Sequence, residues 1–108
     1  MLDYEITPEA LQKQLGQPSR PKIVDVREPW ETELVSFPDA IAMPMGDVPS
    51  RAFAELDPDE PIVAVCHHGV RSLSVVSWLR EQGFEHAQSL AGGQDAWALR
   101  IDPLMARY

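Results

Sequence analysis

The sequence predicts an α/β fold in which a mainly parallel sheet lies between two layers of helices, an α/β/α arrangement. Three observations carry this. Short β-branched runs alternate with amphipathic stretches along the whole chain. The run Ile62-Val63-Ala64-Val65 is apolar at every position rather than every second one, the pattern of a central parallel strand covered on both faces. Prolines and glycines fall between these segments rather than inside them.

In order, Thr7-Pro8-Glu9 reads as a helix start: a capping hydroxyl, a proline suited to the first turn, and an acid at the positive end of the dipole. That helix is expected to reach Leu15 and stop at Gly16. Lys22-Ile23-Val24-Asp25-Val26 reads as a buried strand. Pro29 opens a short helix through Leu34, Ala40 to Met43 is a weak strand between two prolines, and Pro49 to Leu56 is a third helix. After the strand Pro61 to Val65, Ser72 to Gln82 is a strong helix with Leu73, Val75, Val76, Trp78 and Leu79 apolar, stopped by Gly83. Ala87 to Leu90 is a last strand, Gly92-Gly93 a turn, and Gln94 to Leu99 a final helix.

The 108 residues, 44% of them hydrophobic, fit one domain spanning 1–108 with a real core. The formal net charge is −8, with no cluster of Lys and Arg. That composition argues against nucleic-acid binding. It also means that any anion site must be built locally, from backbone N–H groups and one or two arginines. A single cysteine excludes an internal disulfide and a four-cysteine zinc site. The longest apolar run is far too short to span a bilayer, and the first residues lack the pattern of a signal peptide, so a cytoplasmic setting without membrane contact is expected.

In an open parallel sheet the binding crevice lies beyond the carboxyl ends of the strands. There the clearest strand runs into Cys66-His67-His68-Gly69-Val70-Arg71-Ser72. Three features favour charge on the Cys66 sulfur: the free N–H groups of a helix start, a loop that Gly69 allows to curl its amides toward one point, and the permanent charge of Arg71. Taken alone, a lone cysteine is more often a small buried hydrophobe; its place at a strand-to-helix turn reverses that expectation. Arg71 either helps bind the anionic end of a ligand or rigidifies the loop; the alternative is a purely structural ion pair with a nearby carboxylate. His67 and His68 either contact a bound ligand, act as acid–base groups near pH ~6.5, or simply line the loop and offer N–H groups. Asp25 and Arg27 are expected to tie strand ends together rather than to react. Trp78 and Trp97 read as core aromatics, while Trp30, at a helix start, is placed to rim a pocket.

These residues together resemble the rhodanese family of sulfurtransferases, particularly its short single-domain members. Asp25-Val26-Arg27-Glu28, the segment Pro38-Asp39-Ala40 through Pro44, the cysteine loop, Gly83-Phe84, and Leu90-Ala91-Gly92-Gly93 to Ala96-Trp97 carry the resemblance, in register over roughly residues 4 to 100. It implies a five-stranded, largely parallel core. It also implies that Cys66 carries a persulfide cradled by the N–H groups of residues 67 to 72. No cofactor is expected, and no metal site from Cys66, His67 and His68, since adjacent side chains splay apart and His86 is remote in sequence. The implied partners are a small anionic sulfur donor such as thiosulfate and an external acceptor: a thiol, cyanide or a sulfur-acceptor protein. One departure is Val35-Ser36-Phe37, where the family often has Gly-His-Ile. Cysteine phosphatases and arsenate reductases of similar fold use Cys-x5-Arg; here the spacing is Cys-x4-Arg. The shorter ring leaves room for one extra sulfur atom but crowds a phosphate, so loop length favours sulfur transfer over those alternatives. A carrier that accepts persulfide without turnover is the other reading.

Overall fold

The structure, a computed structural model, describes residues 2–108. Its five strands are β1 (Glu5–Ile6), β2 (Lys22–Asp25), β3 (Ile41–Ala42), β4 (Ile62–Val65) and β5 (Ala87–Leu90). Its α-helices are α1 (Pro8–Leu15), α2 (Pro29–Leu34), α3 (Val48–Glu55), α4 (Val70–Glu81) and α5 (Gly93–Arg100). All strands are parallel and lie in the order β1-β5-β4-β2-β3. No helix among the described residues is long and apolar enough to cross a membrane.

The central strand explains the layering. Along β4, Ile62 and Ala64, with Cys66 just beyond, face one side, where α3 and α4 cover them with Val48, Ala52, Val75, Val76 and Leu79. Val63 and Val65 face the other, where α1 and α5 contribute Leu11 and Trp97. Because successive side chains of a strand alternate sides, a strand covered on both sides must be apolar throughout, which is what β4 shows.

Thr7 caps α1 as expected, its hydroxyl accepting from the Ala10 N–H at 3.2 Å. Several boundaries differ from the sequence reading. β1 has no counterpart among the expected strands, since two residues of edge strand carry no period of their own; β5 recruits them through the Ser89 N–H to Tyr4 carbonyl bond of 2.7 Å. The strand expected at Ala40 to Met43 shrinks to Ile41–Ala42 and is followed by a 3₁₀ turn, Met45–Asp47, that leads into α3 one residue early. α4 begins at Val70 rather than Ser72, because Gly69 adopts a left-handed conformation (φ 99°) that turns the chain straight into the helix. α5 likewise starts at Gly93 rather than Gln94.

Strand order places the site. From β2 the chain steps outward to β3, then crosses back to β4 on β2's other side, so the connections diverge between β2 and β4. Asp25 pairs with Val65 there, so the chain segments beginning at Val26 and at Cys66 both leave the sheet at this point, beyond the strand ends.

Candidate active site

Cys66 leaves β4 and is 1% exposed. Buried as it is, its sulfur is not left to apolar neighbours alone. The Gly69 N–H donates to Sγ at 3.1 Å and the Ser72 N–H at 3.3 Å, and the Ser72 hydroxyl lies 3.3 Å from it. Ser72 is the third residue of α4, so its N–H is one of those a helix start leaves without a partner inside the helix. Of the amides in residues 67 to 72, these two converge on the sulfur. Hydrogen bonds of this kind stabilise negative charge on their acceptor.

The carbonyls of the same loop turn the other way. Those of Cys66 and His67 accept from the N–H groups of Gln94 (2.7 Å) and Asp95 (3.0 Å), at the start of α5. This seating needs glycine behind it: a Cβ on Gly93 would lie 2.4 Å from the Cys66 carbonyl oxygen and 2.5 Å from that of His67. The turn Gly92-Gly93 is thus the back wall of the loop.

Arg71 turns out to be an ion-pair residue. It donates to both carboxylate oxygens of buried Glu31 on α2, at 2.6 and 2.9 Å. The guanidinium draws the Glu31 pKa down to about 2, against the opposing effect of burial, and the carboxylate raises that of Arg71. Arg27 is fully buried beside Asp25, donating through Nε at 2.9 Å and Nη2 at 2.7 Å, and it also holds the Val35 carbonyl. Burial pulls the Arg27 pKa down, but Asp25 and Tyr108 outweigh it and the net direction is up. Asp25 and Arg27 therefore tie strand and loop together, as expected of them.

The sequence reading missed three residues. Glu31 is one, an acid in the first turn of α2. Tyr108 is another: its hydroxyl accepts from Arg27 at 3.0 Å and donates to Glu31, and its ring stacks on His67. Ser89 on β5 is the third, buried and 2.7 Å from the Ser72 hydroxyl. The Glu31–Arg71 contact spans 40 residues, the Tyr108–Glu31 contact 77 and the Ser72–Ser89 contact 17, so nothing local announces them.

His67 and His68 stack on each other, centroids 4.1 Å apart. Burial, with the charge of His68 nearby, lowers the His67 pKa. Among the described residues, no hydrogen bond joins either ring to the sulfur. Val70 projects into solvent, and Trp30, exposed, meets Tyr108 edge-on at 5.8 Å. Of the other tryptophans, Trp97 is buried and Trp78 half-buried against the core.

The model of the Rhodanese-like domain family matches residues 7–100. A sulfurtransferase of Allochromatium vinosum is 34% identical over 102 residues, covering 94% of each chain. The chloroplastic Rhodanese-like/PpiC domain-containing protein 12 of Arabidopsis thaliana is 33% identical over 90 residues, and the match covers 81% of this chain but only 30% of that longer protein. Among solved structures, a rhodanese-like domain protein from Staphylococcus aureus superposes with a TM-score of 0.83 at 31% identity, over 98% of this chain and 99% of the other. On the family model, these relatives and the fold, the chain belongs to the rhodanese-like family of sulfurtransferases.

Proposed function

We propose that the protein moves sulfane sulfur through a persulfide on Cys66, from an external donor to an external thiophilic acceptor, in the cytoplasm. The observation that carries this reading is the pair of amides, Gly69 and Ser72, that point at the cysteine sulfur. With thiosulfate as donor, the Cys66 thiolate attacks the outer sulfur. A new S–S bond forms as the old one breaks, and sulfite leaves with the electron pair. The persulfide is held by the same donors until a thiolate or cyanide attacks its outer sulfur and returns Cys66 as thiolate. The chain has a single cysteine, so it cannot resolve the persulfide itself.

The ion pair between Arg71 and Glu31 bears on the alternatives. A guanidinium already occupied by two carboxylate oxygens offers little to the equatorial oxygens of a phosphate, and this supports sulfur over phosphoryl or arsenate chemistry.

The test is intact mass after incubation with thiosulfate, followed by addition of cyanide and assay of thiocyanate. The expected result is a gain of one sulfur atom and its catalytic release. Cys66→Ser should abolish loading while keeping the wild-type melting transition; loading retained in that variant overturns the proposal. Loading that never turns over with cyanide or thiols marks the protein as a carrier.

A further inference from the structure

Ser89 is an unexpected residue for its place. It stands on β5, fully buried, on the same side of the sheet as Ala87, where the packing against α4 is otherwise apolar. A hydroxyl buried in such a layer is costly unless bonded. Its side-chain partner is the Ser72 hydroxyl at 2.7 Å. Ser72 Oγ in turn lies 3.3 Å from Cys66 Sγ and 3.3 Å from the Gly69 carbonyl oxygen. A buried chain therefore runs from sulfur to Ser72 to Ser89.

The protons of this chain can be counted. Each hydroxyl has one proton to give and two lone pairs to receive with. If Ser72 gave its proton to Ser89, the Ser89 proton would have no acceptor among these groups and the sulfur would lose a donor. The arrangement that satisfies every group has Ser89 donating to Ser72. Ser72 then keeps its own proton for one of two acceptors. When Cys66 is a thiol, its S–H donates to Ser72 Oγ, and Ser72 donates to the Gly69 carbonyl. When the sulfur is anionic, as thiolate, Ser72 turns its proton from the carbonyl to the sulfur, which then accepts from three donors: two amides and one hydroxyl. Ser89 donates throughout, and no proton enters or leaves the pair of hydroxyls.

We propose that Ser89 is a positioning residue for the cysteine chemistry: it commits its proton to Ser72 and so frees the Ser72 hydroxyl to serve the charged sulfur. The inference rests on Cys66 being the reacting sulfur. A donor that itself receives a hydrogen bond is polarised and gives a stronger one, so Ser89 acts on the sulfur without touching it.

The test follows carbamidomethylation of Cys66 by iodoacetamide across pH in the full chain, a readout that does not depend on sulfur transfer. Ser89→Ala is expected to move the midpoint of the rate profile upward and to slow alkylation below it by about threefold, the scale of one modest hydrogen bond. The high-pH plateau stays unchanged, since access to the sulfur is not altered. Ser72→Ala moves the midpoint further, and Ser72→Ala with Ser89→Ala matches Ser72→Ala alone, because Ser89 acts only through Ser72. Ser89→Thr, which keeps the hydroxyl, restores the wild-type profile and serves as the arbiter if the alanine variant does not fold. A Ser89→Ala profile that superposes on wild type overturns the inference, as does a shift of equal size in the Ser72→Ala background.

Discussion

Arg71 and Glu31 meet through two hydrogen bonds of 2.6 and 2.9 Å, a two-pronged contact that joins the end of the cysteine loop to α2. Glu31 is buried, and it also caps its own helix by accepting from the Glu28 N–H at 3.0 Å. One carboxylate thus fixes the loop, the helix start and, through the Tyr108 hydroxyl, the C-terminal segment.

This pair predicts an acid limb in the stability profile. The Glu31 pKa falls from an ordinary 4.5 to about 2 in the folded protein. A depressed carboxylate contributes stability that is present above its unfolded pKa and lost as pH drops through the folded one. The contribution therefore fades between pH 4.5 and about 2, and its ceiling is roughly 3 kcal/mol. Denaturant midpoints measured over that range should converge for wild type and Glu31→Gln. At pH 7 the variant should be the less stable, and a constant gap between the two across the range would refute the linkage.

Tyr108 should contribute through its hydroxyl as well as its ring. The ring stacks on His67 at 3.9 Å, and the hydroxyl bridges Arg27 and Glu31. Tyr108→Phe keeps the stack and removes the bridge. We expect a loss of about 1 kcal/mol in thermal or denaturant unfolding, the scale of hydrogen bonds to charged groups discounted for a partly exposed site. Tyr108→Ala should lose more, and equal losses in the two variants would assign the whole effect to the hydroxyl.

Two glycines with positive φ separate strain from collision. Gly83 (φ 99°) has open space where a Cβ would go, so Gly83→Ala should cost only backbone strain, about 1 kcal/mol. Gly93 (φ 64°) has the Cys66 and His67 carbonyls at 2.4 and 2.5 Å. Gly93→Ala must push the cysteine loop off α5, and it should both unfold at markedly lower denaturant and lose sulfur loading. Loading at the wild-type rate in a folded Gly93→Ala protein would show that the loop tolerates displacement.

Phe37 should matter to folding rather than to chemistry. It stands in the segment Val35-Ser36-Phe37 that departs from the family's habit, and the structure gives it a packing role: buried, with its ring 5.4 Å from that of Trp97. Ser36 is exposed, so no polar side chain from this segment enters the site. Phe37→Ala is expected to cost about 3–5 kcal/mol, as large core truncations do, with the initial rate of sulfur loading unchanged in the fraction that remains folded. Calorimetry and a loading assay on the same sample check both halves.

What was legible in the sequence was local. The unbroken apolar run of β4 and the glycine three residues after Cys66 located the sulfur at a strand-to-helix turn, and both are properties of neighbouring residues. Arg71 could be narrowed to two roles but not resolved, because its partner lies 40 residues away on a helix whose first turn looks like any acidic cap. Ser89 carries no signal of its own within the strand Ala87 to Leu90, because its partner Ser72 lies 17 residues away on α4. Tyr108 lay beyond every periodic segment, and only the folded chain brings it to His67. The two-residue β1 has the same origin: its hydrogen bonds belong to the pairing with β5, not to Glu5 and Ile6 themselves.

The seating of the loop on α5 has a bearing on how such a domain could change trades. The peptide groups around Cys66 are engaged in opposite directions, carbonyls toward Gln94 and Asp95, amides toward the sulfur. Lengthening the loop by one residue, to widen it for a tetrahedral oxyanion, would break the register on one side or the other. A successful switch would have to remodel the Gly92-Gly93 corner together with the insertion, so two coordinated changes at separate positions would stand between this scaffold and a different substrate.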